Sequence, residues 1–137
     1  MTFKSLTAML SVAPQLSNAD VESAAAQGFK AIINNRPDGE EEGQIAAAEM
    51  EAMAAKHGME FMHVPVVSGK IDDAAVAKMG MALGSLKRPV LAYCRTGTRS
   101  TILWALSEAG STDADHIIRT AKAAGYDLSA IADRLKA

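Results

Sequence analysis

Short apolar runs alternate with longer amphipathic stretches along most of this chain. "TAMLSVA" reads as a first strand leading into the turn "APQ", and "FKAIIN", "MEFMHVPV" and "RPVLAY" read as further buried strands. Between them lie helix-forming segments with start and stop signals. Ser17 or Asn18 caps a helix through "ADVESAAAQ" that Gly28 ends, and "QIAAAEMEAMAAKH" stops at Gly58. Asp72 or Asp73 caps a third helix with Val76, Met79, Leu83 and Leu86 on one face. After the last strand, Ile102, Leu103 and Leu106 mark a helix ending at Gly110. Thr112 or Asp113 opens another with Ile117, Ile118 and Ala121 inward, and a last short helix carries Leu128, Ile131 and Leu135. Strands alternating with helices predict an α/β fold, a central, mostly parallel sheet flanked by helices. With no repeat, linker or low-complexity tract, residues 1–137 read as a single catalytic domain.

Composition narrows the function classes. An apolar fraction of 49% with 22% charged residues is that of a globular chain, and aromatics at 4% leave alanine, aliphatic residues and methionine to fill the core. A net charge of −2 offers no electrostatic footprint for nucleic acid or an anionic membrane surface. No stretch approaches the roughly 18 apolar residues of a membrane span. "MTFKSLTAMLSVA" faintly mimics a signal peptide, but its apolar part is short and broken by Thr7 and Ser11. The single cysteine cannot form an internal disulfide, and a reducing, cytoplasmic setting is expected.

That cysteine lies in "YCRTGTRST", residues 93–101, at the end of the "PVLAY" strand and before a helix. In parallel sheets, ligands bind at the carboxyl ends of strands. Each residue type has a chemical use here. A loop entering a helix turns successive N–H groups towards one point, so Arg95, Thr96, Gly97 and Thr98 form the expected anion-binding loop. Gly97 lets the backbone turn. Arg99 carries a planar fork for two oxygens of a tetrahedral anion. The same positive field favours the thiolate of Cys94 as nucleophile, and Ser100 is placed to hydrogen-bond the sulfur. Cys94, Arg99 and Ser100 are the expected catalytic residues.

The motif "CRTGTRS", with "LSVAPQLSNADV", "GFKAIINNRPDGEE" and "FMHVPV" upstream and "AAGYDLS" downstream, resembles the phosphatase-like domain of beta-lactamase-hydrolase-like proteins. The resemblance implies a dual-specificity protein phosphatase-like fold, with Cys94 as nucleophile and Arg99 as anion-binding arginine. It implies either phosphatase or rhodanese-like sulfurtransferase chemistry. Two departures from the phosphatase pattern stand out. Tyrosine phosphatases have five residues between cysteine and arginine, whereas this chain has four, as many rhodaneses do, and Tyr93 stands where phosphatases usually carry histidine. Dual-specificity enzymes also place a general-acid aspartate soon after the strand, but in "HVPVVSGKIDD" Asp72 and Asp73 come late and read as helix caps.

A missing acid favours a reaction with a good leaving group. Expelling a phenolate profits from a general acid by about 10²–10⁴-fold, whereas sulfite or a thiolate leaves unaided. The expected activity is therefore sulfur transfer from thiosulfate or a persulfide through a Cys94 persulfide to a thiol acceptor such as glutathione. The alternatives are a phosphatase acting through a Cys94 phosphoenzyme and a non-catalytic sensor of oxyanions or polysulfides. No cofactor is expected. His57, His63 and His116 fall on separate elements and make no metal set. "NNRPDGEEEG" reads as a solvated loop whose acidic run shields nothing specific, with Arg36 and Asp38 as candidates for the pocket rim. Trp104 and the methionines read as core.

Overall fold

The computed structural model describes residues 3–136. Five strands form one sheet in the order β1-β2-β5-β3-β4: β1 (Lys4–Thr7), β2 (Leu10–Ala13), β3 (Ala31–Asn34), β4 (Glu60–His63) and β5 (Val90–Tyr93). β2, β5, β3 and β4 run parallel, and β1 pairs antiparallel with β2 at one edge. The stretch read as one strand from Thr7 is thus a hairpin. Thr7 ends the first strand, and its Oγ1 accepts the Met9 N–H in the turn.

Side chains of the central strands alternate between two cores, as the two-residue strand period requires. Val12, Ile33, Val90 and Ala92 face α3 (Asp73–Ser85), α4 (Thr98–Glu108), α5 (Ala114–Ala123) and α6 (Ala132–Leu135), which supply Met79, Leu103, Ile117 and Leu135. Ile32, Leu91 and Tyr93 face α1 (Asn18–Ala26) and α2 (Ala47–Lys56), which supply Val21, Ala24, Met50 and Ala54. A 3₁₀ turn, Ser129–Ile131, precedes α6. The fold is a single α/β layer structure with helices on both faces of a mostly parallel sheet. Trp104 belongs to the core, as do Met50 and Met79, whereas Met9 and Met81 stand in solvent.

Helix starts follow local chemistry. Ser17 caps α1 in a reciprocal box with Asp20, whose carboxylate accepts the Ser17 N–H at 2.8 Å. Asp72 caps α3, its Oδ1 accepting from Ala75 N at 2.9 Å, and Asp113 caps α5. The four parallel strands end at one edge, where backbone bonds tie their loops together: Asn35 N to Tyr93 O at 2.8 Å, Gln15 N to Arg95 O at 3.2 Å, and Val66 N to Asn35 O at 3.1 Å. The loop that carries Cys94 leaves this edge from the middle of the sheet.

Candidate active site

Cys94 follows β5 directly and is fully covered, with the Gly97 N–H pointing at its Sγ at 3.1 Å. Gly97 has φ +93°, in the left-handed region, and starts α4. A second reason for glycine is steric, because a Cβ there would run into the phenol end of Tyr126. Tyr126 Oη donates to the Thr96 carbonyl at 3.2 Å and so presses the cysteine loop from above. Burial, and then the charge of Cys94, push the Tyr126 phenol up, which keeps its proton in place. The N–H groups of Arg99 and Ser100 meet no protein acceptor among the described residues, as expected of the first turn of a helix. They are available to an anion.

Arg99 is nearly buried, and its five N–H donors divide cleanly. Nη1 donates to Glu40 Oε2 at 2.7 Å and to the Val66 carbonyl at 2.9 Å, and Nη2 donates to Glu40 Oε1 at 2.8 Å. Glu40 therefore takes the terminal edge of the guanidinium in a two-pronged pair. The Nε–H and the second Nη2–H, which make up the side edge, remain for a ligand. Hydrogen bonding to Glu40 raises Arg99 further above its already high value, and the nearby Cys94 adds to this.

Glu40 is itself held from behind. Arg36, fully buried, donates from Nε to Glu40 Oε1 at 2.8 Å, from Nη1 to Gln15 at 2.9 Å and from Nη2 to Glu41 at 3.1 Å. Asn34 Oδ1 accepts the Arg36 N–H, and His63 Nε2 lies 2.9 Å from the Arg36 carbonyl. Hydrogen bonds from Arg99 and then Arg36 hold the Glu40 carboxyl down to about 2, against burial. At neutral pH it is a fixed anion with no proton to give.

The loop read as solvated thus contains the residue that holds the guanidinium of Arg99. The acidic run is specific: Glu40 and Glu41 are the partners of two buried or nearly buried arginines. Arg36 does not line the mouth of the site but acts one residue behind it, through Glu40. Asp38 is not at the mouth either, since its carboxylate accepts the first N–H of α2, from Ala47, at 2.8 Å. Arg95, Thr96 and Thr98 are exposed on the loop, and Thr96 and Thr98 share a hydroxyl hydrogen bond at 3.0 Å. Ser100 is buried, and its Oγ has no hydrogen-bond partner among the described residues, so the expected bond to the sulfur is not formed. Tyr93 points to the α1/α2 side. Burial raises its phenol well above the ordinary value, while Gln15 lies close enough to offset part of this without hydrogen-bond geometry.

A hollow of about 260 Å³ opens onto the loop. One wall comes from Ser68, Gly69 and Ile71, and the other from Arg95, Thr96, Thr98 and Arg99. No carboxylate lines it. Glu40 and Tyr126 are the site residues missed in the sequence. For Glu40 a signal existed: a buried arginine fork needs an anionic partner, and the only acidic run sits in a loop that leaves the same sheet edge. Among the described residues no cluster of His, Cys, Asp and Glu is arranged to hold a metal, and no helix is long and apolar enough to cross a membrane.

Known proteins place this geometry. A crystal structure of a candidate phosphatase from Neisseria meningitidis is 40% identical, with a TM-score of 0.90 over 99% of this chain and 97% of that one. The core catalytic domain of a PP-IP phosphatase from S. cerevisiae, solved with citrate, shares the fold at 11% identity and TM-score 0.74, covering 98% of this chain and 83% of that one. A beta-lactamase hydrolase-like protein from Agrobacterium fabrum is 38% identical over 123 residues, which is 88% of this chain but 28% of that protein. The Xylella fastidiosa (strain Temecula1) protein of the same description is 33% identical over 129 residues, 93% of this chain and 30% of that one. The chain spans less than a third of the length of these curated relatives. With residues 2–111 matching the family model, the chain belongs to the phosphatase-like domain family of beta-lactamase hydrolase-like proteins.

Proposed function

We propose that this chain is a cysteine-dependent phosphohydrolase for monoesters or anhydrides with acidic leaving groups. The observation that carries the reading is the Arg99 fork: Glu40 and Val66 O hold three of its donors, and the side edge stays free beside Cys94. The phosphatase-type fold, and the 40% identity to a candidate phosphatase, support phosphoryl over sulfur chemistry. This reverses the preference that the short loop alone suggests.

In the reaction, the Cys94 thiolate attacks phosphorus while Arg99 and the α4 amides bind the equatorial oxygens. The P–O bond breaks, and its electron pair leaves with the departing oxygen. Water then attacks the phosphocysteine, releasing phosphate and restoring the thiolate. Because Cys94 is fully covered, entry of a phosphoryl group requires the groups over its sulfur to move aside. No carboxylate lines the hollow to donate a proton to the leaving group: Glu40 is ionised, and Asp72 is committed to the α3 cap. Rates should therefore fall steeply as leaving-group basicity rises.

Sulfur transfer is the second reading, favoured by the four-residue spacing and by the acid-free hollow. There the thiolate attacks the outer sulfur of thiosulfate, sulfite departs with the S–S pair, and an acceptor thiolate takes the sulfur. One set of assays separates the readings. Aryl phosphates of graded leaving-group acidity should show a steep slope and a trapped phosphocysteine by mass spectrometry. A persulfide adduct from thiosulfate, with thiol-dependent sulfite release and no phosphate turnover, would put sulfur transfer first. Ligand binding without turnover in either assay would leave the sensor.

A further inference from the structure

The hollow at the cysteine loop does not end there. A second hollow of about 390 Å³ adjoins it, and Gly69, Ile71 and Ile102 line both. The second is larger than the first and continues towards Ile131 and Arg134. A bare phosphate, sulfate or thiosulfate has no use for it. Its floor is three isoleucines, Ile71 before α3, Ile102 on α4 and Ile131 on the 3₁₀ turn, each half-buried against the core with a face left open.

The polar groups around this floor are mostly spoken for. Asp72 Oδ1 accepts the Ala75 N–H, and Arg134 donates from Nη1 to the Ile71 carbonyl at 3.0 Å, with Nη2 3.6 Å from Asp73. Lys70 is exposed at the rim and forms no ion pair among the described residues. What the groove offers is an isoleucine floor with a charged rim of Lys70, Asp72 and Arg134, joined at one end to the anion-binding loop. We infer that this groove is the subsite for the organic group of the substrate, and that the substrate class is aryl phosphate monoesters with a fused or extended ring system. The inference rests on the phosphohydrolase reading for its chemistry but on the groove for its specificity. An aryl oxygen is also the kind of ester leaving group that departs best without an acid.

The test compares phenyl phosphate with 2-naphthyl phosphate, whose leaving groups are of similar acidity. The naphthyl ester should have a kcat/KM about tenfold higher, through KM, because the second ring lies on the isoleucine floor. Ile131→Trp fills the far end of the groove and should erase that advantage. Ile131→Ser should reduce it. Both variants should leave phenyl phosphate turnover and inhibition by inorganic phosphate unchanged, which also reports that they fold. Equal rates for the two esters in the wild type, or a parallel loss of both in the variants, would overturn the subsite. Should neither ester turn over, calorimetry with benzylphosphonate and 2-naphthylmethylphosphonate still decides it. An approximately tenfold tighter naphthyl ligand whose advantage disappears in Ile131→Trp keeps the subsite while the hydrolase reading falls. Equal affinities remove the subsite.

Discussion

Two loops leave the same edge of the sheet, one after β3 and one after β4, and they use their carboxylates in opposite ways. In the 35–46 loop, Glu40 turns inward, binds Arg99 through both oxygens and is backed by buried Arg36. In the 64–72 loop, Asp72 turns to its own backbone and caps α3, while the loop gives Arg99 only a carbonyl, from Val66. The difference teaches that a carboxylate's role follows from what satisfies it. Two guanidinium groups lower Glu40 and fix its charge, which suits it to aim an arginine and disqualifies it as an acid. A cap contributes stability at a helix start and nothing to chemistry some residues away.

The strongest way to break this contrast is at the shared arginine. Arg99→Lys keeps the charge but loses both edges of the fork, and should lower kcat/KM by about 10- to 150-fold, nearly as far as Arg99→Ala. Near wild-type turnover in steady-state assays would mean that Glu40 aims nothing of consequence. Glu40→Gln comes next. It leaves Arg36 and Arg99 facing each other with one anion fewer, and kcat/KM should fall by about 10- to 100-fold as the fork drifts.

The same variant carries a pH signature. Glu40 is held to about 2 from an ordinary 4.5, so its stabilisation is complete above the ordinary value and is lost as pH falls through the folded value. Thermal midpoints should therefore fall between about pH 4.5 and 2 in the wild type, and less steeply in Glu40→Gln. At neutral pH the variant should be about 1–3 kcal/mol less stable, below the ~3–5 kcal/mol for breaking a fully buried pair, because the Glu40 side chain keeps 25% of its surface exposed.

Tyr126→Phe sharpens the comparison by testing a support that comes from neither loop. Losing one hydrogen bond to Thr96 O should cost about 1 kcal/mol in holding the cysteine loop, or about fivefold in kcat. The smallest effect belongs to the loop after β4. Asp72→Ala should lower stability by about 1 kcal/mol in denaturant unfolding and leave kcat/KM unchanged across leaving groups. A loss confined to poor leaving groups would make Asp72 the missing acid and erase the contrast.

Much of this molecule is written in local pattern. Alternating strand residues, cap residues at Ser17, Asp72 and Asp113, and glycine stops are short-range effects of period and backbone geometry, so the α/β order was legible from the chain. The cysteine loop was legible for the same reason, since Cys94, the turn glycine and Arg99 lie within six residues. The hairpin between β1 and β2 was not, because Thr7 to Leu10 offers no strong turn pair to mark the reversal. Glu40 lies 59 residues from Arg99 and Tyr126 lies 30 from Thr96. Only chain topology brings such pairs together, by ending parallel strands at one edge and returning the segment after α5 over the loop. Side-chain charge and type alone do not reveal a partner that far along the chain. The sequence by itself determined the elements and the candidate nucleophile; the tertiary structure decided which carboxylate pairs with Arg99 and which one caps a helix, because only the fold sets which distant groups satisfy each other.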